Sequence, residues 1–240
     1  MDSDRIILAG ATGDLGKRIA RELVKRGAGV RALVRDGSDP AAIADLRRTG
    51  VDIAAVNIND PADMARACAG GSCVVSALSG LRDVILVGQS ALLDAAIAAG
   101  VPRFIPSDYA IDYTKLAPGS NRNLDLRREF QSRLDDAPIA ATSILCGMFM
   151  DLLLGQAPFI LFKLKRAVYW ENAAQPMDFT TKDDVAAFTA AAALDRNTPR
   201  FLRIAGDRQS AEGLRAAAGA VSGKEFRLLR AGGLDRLAAL

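Results

Sequence analysis

The sequence predicts an α/β chain: a doubly wound parallel sheet with a small carboxyl-terminal lobe. Three observations carry the prediction. Over the first 110 residues short β-branched runs alternate with longer amphipathic stretches, the signature of βαβ units. A glycine-rich turn joins the first apolar run to the first amphipathic one. Past residue 124 the alternation gives way to a less regular pattern, from which we expect a boundary dividing the chain into 1–146 and 147–240.

The elements follow in order. Strands are expected over 5–9, 29–34, 52–56, 73–77 and 104–106, with helices over 14–26, 40–48, 61–69 and 86–99 between them. Asp60-Pro61 opens a helix with proline at its first position, and Gly100 followed by Pro102 closes another. Right-handed crossovers put helices on both faces of the sheet. The loop over 108–123 lies just past a strand's carboxyl end, where open α/β sheets bind ligands. A helix over 124–135 and a strand over 141–145 come next. The apolar stretch 144–162 is interrupted by Asp151, Gly155, Gln156 and Pro158. A membrane span needs about 20 mostly apolar residues, so we read this stretch as core and pocket wall. An alanine-rich helix over 185–194 begins after acidic residues suited to its amino end. The chain closes in an apolar helical pattern over 234–240, as if more of the lobe were to follow.

Composition removes several kinds of chemistry. With 31 Lys plus Arg against 28 Asp plus Glu the net charge is +3, which supports neither a nucleic acid nor a membrane surface as partner. There is no histidine, so Ser-His-Asp and Cys-His nucleophiles and imidazole bases are excluded. Cys68, Cys73 and Cys146 match neither a disulfide framework nor a four-ligand zinc site. They read as reduced, buried thiols. The charged start, Met1 to Arg5, runs straight into an apolar strand, which does not resemble an export signal. We expect a cytoplasmic protein.

The strongest chemical signal is Gly10-Ala11-Thr12-Gly13-Asp14-Leu15-Gly16, between the first strand and the first helix. In this setting Gly10 permits the tight turn, Gly13 lets the backbone approach a pyrophosphate, and Gly16 lets the helix pack closely. The free amides at the helix start, with Thr12, Asp14 and Leu15 in the same turn, face the anion. A Walker A loop is ruled out because Ala11 and Arg18 stand where it requires glycine and a hydroxyl. At the end of the second strand, Arg35 occupies the position that discriminates between the two dinucleotides. Its fork of donors suits an added 2'-phosphate, with Lys17 as a second cation, so we expect NADP(H). The alternative is a surface ion pair of Arg35 with Asp36 or Asp39.

Four segments carry a family resemblance: the glycine turn with Lys17-Arg18; the second strand, ending Ala32-Leu33-Val34-Arg35-Asp36; Val101-Pro102-Arg103-Phe104-Ile105-Pro106-Ser107-Asp108-Tyr109; and Met177-Asp178-Phe179-Thr180-Thr181-Lys182-Asp183-Asp184-Val185-Ala186. With these, nearly the whole chain resembles the NmrA-like and isoflavone-reductase-like branch of the atypical short-chain dehydrogenases. The resemblance implies a Rossmann-type domain, a small substrate lobe and NADPH. It also implies that Ser76, Ala77 and Leu78, and Cys146 further on, line the cofactor site. Met148, Phe149 and Phe159 would then wall the nicotinamide and substrate pocket; core packing is the alternative for Cys146, Met148 and Phe149. Reductases of this family carry a lysine in the helix after the Pro106–Tyr109 segment, and Arg127 stands at that position here. An arginine stays charged and is a poor general acid or base, although it can orient a substrate oxygen.

No Tyr-x-x-x-Lys dyad exists, because Tyr113, Ala117 and Ala173 follow Tyr109, Tyr113 and Tyr169 at that spacing. Tyr109, Tyr113 and Lys115, in the loop expected over the site, are the nearest substitutes. Two functions stay open. One is an NADPH-dependent oxidoreductase reducing a small, partly apolar or aromatic substrate. The other is a non-catalytic NADP-binding sensor that modulates a protein partner, and a homo-oligomer is compatible with either. A third possibility is an incomplete member of the family that binds little.

Overall fold

The computed structural model describes residues 5–157 and 159–238, and its contacts divide the chain into two units. The first unit runs to Tyr109 and adds Tyr113–Leu145 and Asp183–Arg203. The second comprises Ala110–Asp112, Cys146–Lys182 and the chain from Ile204 onward.

The first unit is built on a six-stranded, all-parallel sheet. Its strands are β1 (Arg5–Ala9), β2 (Gly29–Arg35), β3 (Asp52–Val56), β4 (Cys73–Ser76), β5 (Arg103–Ile105) and β6 (Ala140–Ala141), in the order β3-β2-β1-β4-β5-β6. Strands β1 and β4 are central and covered on both faces, which is why they read as unbroken apolar runs. Helix α1 (Asp14–Lys25) buries Gly16, Ile19, Ala20 and Leu23 on one face, with Ile19 and Ala20 three and four residues after Gly16 and Leu23 one turn further. Helices α2 (Pro40–Arg48) and α3 (Pro61–Cys68) both start with proline and are capped by the carboxylates of Asp39 and Asp60.

Helix α4 (Gln89–Ala98) does not begin at residue 86 as expected. A wider π-helical segment, Asp83–Gly88, leads into it. Gln89 is fully buried there, accepting a hydrogen bond from the Ser107 amide at 2.8 Å. Cys68 and Cys73 are free and buried, and desolvation pushes their thiols up to about 11 and about 12, so both stay protonated.

The expected strand over 141–145 is split at Thr142. Its first part, β6, pairs with β5. Its second part, β7 (Ser143–Leu145), pairs in parallel with β12 (Phe201–Arg203). Through this pairing β12, which the division at residue 146 assigned to the carboxyl-terminal lobe, lies with the first unit. Helix α5 (Arg122–Asp135) and helix α6 (Lys182–Leu194) flank these strands in the chain, and α6 is tied to the first unit by Arg103. The buried Arg103 guanidinium donates to the carbonyls of Ala192 and Ala193, at 2.9 and 3.3 Å, near the negative end of α6. Residues 183–203 therefore belong with the sheet, outside the lobe to which the sequence assigned them.

The second unit holds two small sheets. In one, β11 (Met177–Thr180) runs between β8 (Met148–Phe149) and β13 (Asp207–Gln209). In the other, β10 (Arg166–Trp170) runs between β9 (Ile160–Leu161) and β14 (Arg227–Gly232). Helix α7 (Ala211–Ser222), absent from the sequence reading, is capped by Ser210 and ended by Gly223 at φ +64°. Phe179, Leu214 and Phe226 anchor this unit's own core. Helix α8 (Leu234–Ala238) matches the start of the expected terminal helix, whose last two residues lie outside the described ones. No helix among the described residues is long and apolar enough to cross a membrane.

Candidate functional site

The strand order reverses between β1 and β4, since the chain runs to β2 and β3 on one side and to β5 and β6 on the other. Crevices at the carboxyl ends of strands around such a point are where open α/β sheets take ligands. A cleft of about 550 Å³ opens there. Its floor is Ala9, Gly10, Thr12 and Gly13, with Ala77 and Leu78 following β4; Leu33, Val34 and Arg35 of β2 form one side.

The three glycines of the turn serve different ends. Gly10 sits at φ +78°, and a Cβ there would meet the Ala77 carbonyl oxygen at 2.5 Å. A Cβ on Gly16 would lie 2.1 Å from the Gly10 oxygen. Both are required by the chain's own packing. Gly13 is not: it is exposed, extended at φ −76° and ψ 168°, and a Cβ there would meet only the Gly10 oxygen, at 3.4 Å. Gly13 is also the amino cap of α1, and no side chain caps that helix. Side chains cap α2, α3, α5 and α7. The positive end of α1 thus lies at the cleft without a side-chain cap, and Gly13 puts no side chain in front of it.

Arg35 lines this cleft and is exposed; among the described residues its guanidinium has no hydrogen-bond or ion-pair partner. The surface pairing with Asp36 or Asp39 considered as the alternative is not formed among the described residues, and Asp39 Oδ1 accepts from the Ala41 amide as the cap of α2. Asp14, Leu15, Gly16 and Ser76 do not line the cleft. Ser76 ends β4 fully buried, and among the described residues its Oγ has no hydrogen-bond partner. Ser38, Ile58, Asn59 and the helical wall of Asp83, Val84, Val87 and Ala91 do line it, and sequence reasoning missed them. A second depression, of about 450 Å³, is crossed by the bidentate Arg82–Glu129 ion pair and shares no residue with the glycine turn.

Beyond β5 the first unit holds a buried polar cluster. Asp108 is fully buried, and its Oδ2 accepts hydrogen bonds from the Tyr113 hydroxyl at 2.8 Å and the Ser143 hydroxyl at 2.7 Å. Arg200 donates to Ser143 Oγ at 2.8 Å. Desolvation raises the Asp108 carboxyl above the ordinary range, opposed by the two hydroxyls and by the charges of Arg127 and Arg200. The Tyr113 phenol is raised by burial and then by the Asp108 charge. This corrects the expectation of loop residues over a site: Tyr109 and Tyr113 are buried, and only Lys115 is exposed. Arg127 is half-buried, donates from Nη1 to the Asn123 carbonyl at 3.0 Å, and keeps its Nε buried without a partner among the described residues.

Cys146, Met148, Phe149 and Phe159 belong to the second unit. Cys146 is buried, with its carbonyl accepting from Thr180 Oγ1 at 2.6 Å. Met148 and Phe159 pack against that unit's core, and Phe159 meets Trp170 edge-on at 6.2 Å. The Lys182 ammonium lies 5.8 Å from the Phe149 ring centroid.

Comparison with known proteins agrees with this architecture. The chain is 28% identical over 205 residues to an isoflavone reductase homolog of Zea mays, covering 81% of this chain and 65% of that one. It is 26% identical over 199 residues to a bifunctional pinoresinol-lariciresinol reductase of Linum usitatissimum, covering 77% and 63%. The chain thus spans a little under two thirds of these curated relatives. Among solved structures, one of AtPrR2 with NADP+ and (+)pinoresinol matches at a TM-score of 0.85 and 23% identity, covering 99% of this chain and 82% of that one. A NADPH-dependent quinone oxidoreductase from Escherichia coli, complexed with NADPH, matches at 0.80 and 22%, covering 95% and 78%. These likenesses establish the fold. The model of the NmrA-like family matches residues 2–231, through both units, and the chain belongs to that family.

Proposed function

We propose that the protein binds NADP(H) in the cleft of the first unit and is a reductase of a small, partly apolar or aromatic substrate, with the second unit as its substrate lobe. The observation that carries the reading is the uncapped amino end of α1 facing a glycine the fold does not require. The first-turn amides of α1 take the diphosphate. Arg35, with no competing partner among the described residues, takes the 2'-phosphate. The nicotinamide supplies hydride when the cofactor is bound; the chain's part is to hold it in place and exclude water. The relatives' names agree with this reading, since they describe reductases and a quinone oxidoreductase.

Titration with NADPH and NADH tests the cofactor. Wild type is expected to prefer NADPH, and Arg35→Asp to weaken NADPH by about tenfold and reverse the order, by removing a charge-assisted contact and restoring a ribose acceptor. An unchanged preference would remove Arg35 from the site.

One observation favours the sensor reading. The Tyr113 phenol donates to Asp108 and is held above its ordinary pKa by burial and by the Asp108 charge, so it is not a ready proton donor at neutral pH, and an arginine side chain is by type a poor general acid. A panel of quinones, enones and aromatic carbonyls decides between the two readings. Oxidation of bound NADPH by any of them supports the reductase. Tight NADPH binding with no oxidation, and a partner captured only in one nucleotide state, supports the sensor.

A further inference from the structure

Resting on the dinucleotide reading above, we propose that Arg18 is a positioning residue for that site: it holds the Asp14 carboxylate off the diphosphate. Asp14 occupies the first turn of α1. An acidic side chain there is favoured by the helix dipole, yet the same positive end has to accept the ligand's phosphates. Two anions would then compete for one set of amides.

The structure shows how the competition is resolved. One turn along α1, Arg18 Nε donates to Asp14 Oδ1 at 2.9 Å. The other arm of the same guanidinium donates to Asp183 in the first turn of α6, within the same unit. Arg18 is only 29% exposed, while Asp14 and Asp183 are 55% and 77% exposed. Clamped by Asp183, the guanidinium draws the Asp14 carboxylate along the helix, away from its amino end, and offsets part of its charge, its single positive charge being shared with Asp183. An exposed i,i+4 pair adds little to stability, so its main consequence falls on the ligand.

The test is an NADPH fluorescence titration at about 0.01 M and about 1 M salt, where the screening length falls from about 30 Å to about 3 Å. Arg18→Gln is expected to weaken NADPH about tenfold at low salt, with the gap closing at high salt, since the penalty is like-charge repulsion. Arg18→Lys, which keeps the charge, is expected to stay within about twofold of wild type. Adding Asp14→Asn to Arg18→Gln is expected to restore affinity at both salts. A purely structural role for the Arg18–Asp183 contact would predict a loss that Asp14→Asn does not rescue and salt does not erase, and that result would overturn the proposal. If Arg18→Gln does not fold, Asp14→Asn alone decides: binding at least as tight as wild type supports the proposal, and weaker binding overturns it. Failure of wild type to bind any nicotinamide nucleotide at either salt would refute the dinucleotide reading itself, and the inference with it.

Discussion

Gly13→Ser is expected to make the protein slightly more stable and to cost about a hundredfold in NADPH affinity. The two effects have opposite signs for one physical reason. Gly13 caps α1 in extended geometry without a side-chain cap, and the nearest atom to an added Cβ is 3.4 Å away. Serine is a better cap than glycine by a few tenths of a kcal/mol, because its Oγ accepts from first-turn amides. Those are the amides assigned to the diphosphate. Losing two charge-assisted contacts worth ~1.5 kcal/mol each gives the hundredfold loss. Gly10→Ala and Gly16→Ala serve as contrasts, since each would drive a Cβ to within 2.5 Å or less of a backbone oxygen and should lower the melting temperature sharply. Thermal melts and NADPH titrations on the three variants check the prediction. A Gly13→Ser protein that binds NADPH as wild type does would mean that the open end of α1 serves some other purpose.

The same glycines show how far the sequence can be read. In the first unit, β1, β3 and α2 fall on the residues expected: β1 is a buried apolar run, β3 is a short apolar run at the sheet edge, and α2 starts with an Asp-Pro pair. The second unit resists such reading. Strands β8 and β9 have two residues each, too short to show alternation, and β14 pairs in parallel with β10 some sixty residues earlier. Lys165 and Glu171 take positive φ without the glycine that would mark a turn. Helix α7 carried signals at Ser210 and Gly223 and buries Ala211, Leu214 and Ala218 at helical spacing, and the sequence reading passed over it all the same. In the cleft, Gly10, Gly13 and Arg35 were legible because each residue type implies its chemistry. Ile58, Val87 and Ala91 were not, since apolar residues that line a ligand cleft look no different from core. Asp108 was passed over for the opposite reason: a carboxylate in a polar loop is usually solvated, and only the fold shows that Tyr113 and Ser143 enclose it.

Asp108→Ala is expected to destabilise the protein by ~3 kcal/mol, among the larger effects a single substitution produces. The alanine removes the acceptor for the Tyr113 and Ser143 hydroxyls and leaves both buried without it. Asp108→Asn separates charge from shape, because its amide oxygen still accepts. Burial raises the Asp108 carboxyl in the folded protein, so the folded state holds the proton more tightly than the unfolded chain, whose carboxyl titrates near ~4. The contribution to stability is therefore complete below about pH 4 and is lost as the pH climbs through the raised folded value. Asparagine has no proton to lose, so its stability relative to wild type should rise with pH across that window. Urea unfolding of wild type and both variants at several pH values from 5 to 8 measures this. A flat difference between Asn and wild type would mean that Asp108 titrates as an ordinary carboxyl. An alanine cost below about 0.5 kcal/mol would mean that the hydroxyls find other acceptors, and that the cluster beyond β5 is not held together by this side chain. Because Arg127 and Arg200 both favour the charged form, removing either positive charge should push the Asp108 carboxyl further up and steepen the loss with pH. That would give Arg127 a definite role in the fold: as a fixed positive charge set beside a buried acid.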